Sequence, residues 1–153
     1  MKVSIYLSLL ASAACALGQL SDKVGPLTGR DAKAAKKVCS ILDYGGATSA
    51  TTDNSEAFVK AWNACKAGGQ VLVPKGSYGL ATWVDLAGGN GVSINIEGTI
   101  FRLSSGVANG TMLVVRDTDD FELYSGNSKG AVQGYGYEFH KGMFARFPGS
   151  HLA

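Results

Sequence analysis

Gly68-Gly69-Gln70-Val71-Leu72-Val73-Pro74-Lys75-Gly76-Ser77-Tyr78 marks the place where the periodicity of the chain changes. Before it, apolar residues recur at three- and four-residue steps; after it, Val71 and Val73 alternate around Leu72, Pro74-Lys75-Gly76 makes a turn, and Tyr78, Leu80 and Trp83-Val84 continue extended. The upstream pattern is one clear helix. It opens at Thr52-Asp53-Asn54-Ser55-Glu56, where Asp53 can cap and Glu56 can reach back. Phe58, Ala61, Trp62 and Cys65 form its apolar face, and Gly68-Gly69 supplies a left-handed exit. Trp62 is thereby expected in the core, the alternative being an aromatic platform for a sugar.

Working outward from there, further short extended runs are predicted at residues 92–96, 112–115, 121–124 and 131–133, each bounded by Gly, Asn, Ser or Asp. No second helical pattern long enough for a βαβ crossover lies between them. Such spacing predicts an all-β sandwich, barrel or solenoid, and periodicity does not choose among these. The 21 glycines against 3 prolines fit many tight turns between short elements.

At the other end of the sequence, Lys2 precedes an apolar run from Val3 to Leu10 and small residues ending at Gly18, which predicts a signal peptide over residues 1–18 and an exported chain starting at Gln19. The run is too short for a membrane span. A net charge of +2 offers no strong field toward nucleic acid or an anionic membrane. Cys15 leaves with the leader, and Cys39 and Cys65 remain. Two cysteines in a secreted chain suggest one disulfide, buried free thiols being the alternative. They do not complete a zinc site, because His140 and His151 lie far along the chain.

The run Ser40-Ile41-Leu42-Asp43-Tyr44-Gly45-Gly46-Ala47, then Asp53, then 57–65, then the quoted 68–78 stretch, resembles the N-terminal signature of the polygalacturonase and pectate-lyase-like proteins. Gln19-Leu20-Ser21, Val24-Gly25-Pro26-Leu27, Thr82-Trp83-Val84, Asp120-Phe121-Glu122-Leu123 and Ser128-Lys129-Gly130-Ala131-Val132-Gln133-Gly134 are similar to fungal rhamnogalacturonases. The resemblance extends to about Phe139. It implies a right-handed parallel β-helix with an N-terminal capping α-helix, so that residues 19–139 supply the cap and first coils. The Cys39 to Cys65 pair would pin the cap, and Gly98, Gly134 and Gly136 would turn the chain between faces of a coil. It further implies an extracellular, monomeric hydrolase of the galacturonic acid and rhamnose backbone of pectin, acting with inversion and without a cofactor, whose catalytic carboxylates come from later segments. A non-catalytic module binding cell-wall polysaccharide and a polygalacturonase or pectate-lyase relative are the alternatives.

The residues themselves offer no catalytic set. In Arg116-Asp117-Thr118-Asp119-Asp120, alternation would let Asp117 and Asp119 share a face and would separate Asp119 from Asp120. A turn between apolar runs, where Asp bonds its own backbone, is the favoured reading. His140, near Tyr135, Tyr137 and Phe139, lacks an identified carboxylate partner. Asn109-Gly110-Thr111 is a glycosylation sequon. Residues 140–153, ending Arg146-Phe147-Pro148-Gly149-Ser150-His151-Leu152-Ala153, depart from the coil pattern, as a premature stop, a retained intron or a shifted frame would produce, a genuine short protein being the alternative.

Overall fold

The computed structural model describes residues 26–103 and 111–137. These residues include two helices, α1 (Arg30–Lys36) and α2 (Ser55–Cys65), and nine strands. These are β1 (Val38–Ser40), β2 (Gly69–Val73), β3 (Ser77–Leu80), β4 (Val84–Asn90), β5 (Val92–Ile96), β6 (Thr99–Arg102), β7 (Leu113–Asp119), β8 (Glu122–Tyr124) and β9 (Ala131–Gln133). Neither α1 nor β6 is foreseen in the sequence, and a 3-10 turn, Ile41–Tyr44, follows β1.

Among the described residues all strand pairs are parallel, in three sheets ordered β1-β2-β5-β8, β3-β6-β9 and β4-β7. The chain therefore visits each sheet in turn and lays each new strand beside the one it laid a coil earlier. Register stacks like on like: Cys39, Val71, Ile94 and Leu123 form one column, and Tyr78, Ile100 and Val132 another. Val84 and Leu86 sit beside Leu113 and Val115. A strand buried on both faces loses the simple alternation, and β5 is buried at all five positions. The arrangement is consistent with a β-helix.

Helix α2 forms where the apolar stripe predicts it. Phe58, Ala61, Trp62 and Cys65 join one core with Cys39, Ile41, Val71, Leu86 and Val92. Trp62 is buried, donates from Nε1 to the Ala87 carbonyl at 3.1 Å and meets the Phe121 ring edge-on at 6.2 Å, so it is a core residue and not a platform. Asp53 Oδ1 accepts from the Ser55 backbone N–H and from Ala81 N, each at 3.0 Å, tying the helix start to the corner after β3. The expected backward reach of Glu56 is corrected: it pairs with Lys60 at 2.7 Å on the exposed face. That reach fails because the helix begins one residue later than it requires: Asn54 is the N-cap, and its N–H donates to the Gly79 carbonyl. Gly68 and Gly69, at φ 114° and 150°, make the exit, and a Cys39–Cys65 disulfide joins β1 to the last turn of α2.

Corners stack as strands do. A Cβ on Gly98 would lie 2.5 Å from the Pro74 carbonyl, and one on Gly130 would collide with that of Ile96. Both glycines sit where one coil presses on the next. The other two expected corner glycines differ: Gly134 rests against Met112, and Gly136, with nothing near it, lies beyond β9.

Candidate functional site

The acidic run is mostly strand. Arg116, Thr118 and Asp119 pair with Ala87, Gly89 and Asn90, so β7 runs through Asp119 and the turn begins only at Asp120. The expectation that all three aspartates occupy a turn is corrected; pairing with β4 outweighs the local preference of Asp for turns. Asp117 is left-handed, at φ 53°, beside Gly88 at 67°. That conformation breaks the alternation on which a shared face for Asp117 and Asp119 depends. Asp117 instead accepts from Arg116 Nη1 at 2.9 Å, while Arg116 Nε and Nη2 grip Asp85 at 2.9 to 3.2 Å.

Asp120 does not bond its own backbone. Its carboxylate accepts from the Thr28 N–H at 3.1 Å and from Lys33 Nζ at 3.3 Å, and Lys33 also reaches the Asp120 carbonyl at 2.6 Å and Glu122 Oε2 at 3.1 Å. The Lys33, Asp120 and Glu122 side chains are 0, 5 and 22% exposed. Burial alone would raise the Asp120 pKa, but the Thr28 hydrogen bonds and the Lys33 charge outweigh it and hold the group below its ordinary value. Asp53 follows the same pattern: burial raises it, and the bonds from Ser55, Ala81 and Thr82 bring it down. Sequence reasoning missed this cluster; its one available signal was a lysine set among alanines in Arg30-Asp31-Ala32-Lys33-Ala34-Ala35-Lys36.

Inverting glycoside hydrolysis needs a protonated acid and an ionised base about 6.5 to 9.5 Å apart with a water between them. Asp53 and Asp120 are both held below the ordinary aspartate value, the wrong direction for a general acid. Asp85 and Asp117 are held by Arg116, Asp120 and Glu122 by Lys33, and Glu56 by Lys60. No group of three metal-ligating side chains occurs among the described residues, and no helix there is long and apolar enough to cross a membrane. Phe101 stacks on Tyr135 at 6.5 Å, and Tyr137 meets Tyr135 edge-on at 6.1 Å. His140, Asn109 and the leader all lie outside the described residues.

Over 140 residues the chain is 49% identical to rhamnogalacturonase A of Aspergillus aculeatus, a match covering 92% of this chain and 31% of that protein. Its sequence relatives are fungal rhamnogalacturonases. The rhamnogalacturonase A of Aspergillus niger is 48% identical over 124 residues, covering 81% of this chain and 27% of the relative. That of Emericella nidulans is 47% identical over 123 residues, covering 80% and 24%. The chain thus spans 24 to 31% of the length of these curated relatives. No family model matches the sequence.

Proposed function

We propose that this chain is the N-terminal part of a secreted hydrolase that cleaves the galacturonic acid and rhamnose backbone of pectin with inversion. In this reading, residues 19–139 supply the first coils of a right-handed parallel β-helix, and α2 covers the start of the stack. The observation that carries it is the near-half identity to rhamnogalacturonases over nine-tenths of this chain and under a third of theirs. The lysine-led apolar start supports export, and the described part serves as scaffold, since its ion-paired carboxylates hold elements together. The reacting pair then belongs to coils beyond those described, and the chain alone does not hydrolyse polymer. Reducing-end release from rhamnogalacturonan and homogalacturonan tests this. The expected trace matches the enzyme-free control. Turnover abolished by Asp117→Ala or Asp119→Ala would overturn it, by placing the chemistry in the acidic strand.

A further inference from the structure

Helix α1 is attached in an unusual way. Its seven residues, Arg30-Asp31-Ala32-Lys33-Ala34-Ala35-Lys36, include no large apolar side chain, and Lys33 is the one fully buried. So short a helix does not persist alone in water, and its N-cap, Gly29, gives no side-chain bond. It lies against β2 and β5, over outward-facing positions that are polar: Gln70, Ser93 and Glu122 share one register column. The Ser93 hydroxyl is buried there without a partner among the described residues. What fastens α1 is therefore charge and hydrogen bonding. Thr28 N–H and Lys33 bind Asp120, Lys33 binds Glu122, Arg30 stacks over Tyr124 at 5.1 Å, and Lys36 Nζ donates to the Ala67 carbonyl.

We propose that the Lys33–Asp120–Glu122 cluster is an acid-released latch, which straps residues 28–36 over the outer face of the sheet β1-β2-β5-β8 and lets them go while the coils beneath stay folded. The coils keep their apolar columns and the disulfide, neither of which titrates in acid. Of the strap's own fastenings, acid leaves the Arg30 contact with Tyr124 and the exposed Lys36 bond to the Ala67 carbonyl. Breaking one side of a buried ion pair is far more disruptive than the pair is stabilising, because the surviving charge is left without water. The charged and titratable groups facing Lys33 are Asp120 at the corner and Glu122 on β8. Arg30, Asp31 and Lys36 lie on the strap itself, with Tyr124 and Glu97 beyond. Since the folded state holds Asp120 below its ordinary value, its contribution is complete above about pH 4 and fades as pH falls through the folded value.

Hydrogen exchange read by mass spectrometry, corrected for intrinsic rates and followed from pH 7 to pH 2.5, tests this on the whole chain. The peptide covering residues 28–36 is expected to lose protection in acid while peptides covering β2 and β5 keep theirs. In Asp120→Asn/Glu122→Gln it is expected to exchange faster at pH 7 already, by about 10- to 100-fold. Lys33→Met reverses the sign: Asp120 is buried without its cation at pH 7 and sheds that charge in acid, so the strap is better protected in acid. A strap that opens only in step with β2 and β5, or is as protected in the double variant as in the native chain, would overturn the latch. Protection of β2 and β5 in the same spectra separates release from unfolding.

Discussion

At the scale of single residues, the fold depends on close approaches between coils. Gly130 has a Cβ-sized gap already occupied by the Ile96 carbonyl, whereas Gly29 has open space around it. Gly130→Ala must push one coil off another and is expected to cost about 1 to 3 kcal/mol, whereas Gly29→Ala crowds nothing and is expected to lose only the N-cap preference for Gly over Ala, about 0.5 to 1 kcal/mol. Paired urea melts measure the difference. The need for glycine at Gly98 was legible in the sequence as a corner, while its counterpart at Gly130 was not singled out, because the crowding atom lies a coil away. Lys33 was illegible for the same reason. It meets Asp120 across 87 positions of sequence, and nothing local tells a buried lysine from a solvated one.

At the scale of elements, α2 was legible because a stripe of Phe58, Ala61, Trp62 and Cys65 has no reading but a helix packed on one side. Helix α1 was not, since its docking is ionic and leaves no stripe. The acidic strand was misread because a ladder to β4 decides its conformation, and that ladder has no trace in the local sequence. Two predictions belong here. Asp53→Ala removes the bonds to Ser55 and Ala81 that fix the start of α2, and is expected to cost about 1 kcal/mol by denaturant melt. Because the folded Asp53 pKa is lowered, its contribution is present above the ordinary aspartate range, and the native chain and the variant should converge as pH falls below that range and through the folded value. Replacing both Cys39 and Cys65 by Ser reopens a loop closed across 26 positions and is expected to lose about 3 kcal/mol.

At the scale of the whole molecule, the columns tell where stacking stops. Cys39, Val71 and Ile94 are fully buried, but Leu123, next in that column, is 54% exposed; after Tyr78 and Ile100, Val132 is 48% exposed. Among the described residues, β7, β8 and β9 are each the last strand of their sheet, and a hollow lined by Ile96, Leu123, Ala131 and Val132 opens between two of them. Such an edge offers unpaired backbone groups beside apolar side chains, and invites pairing with other copies. The open edge is tested by sedimentation velocity of the purified chain from Gln19 onward over a range of concentrations. It predicts species larger than a monomer that grow with concentration. A single monomeric boundary at every concentration would contradict it, by showing that the rung at Leu123 and Val132 is already covered.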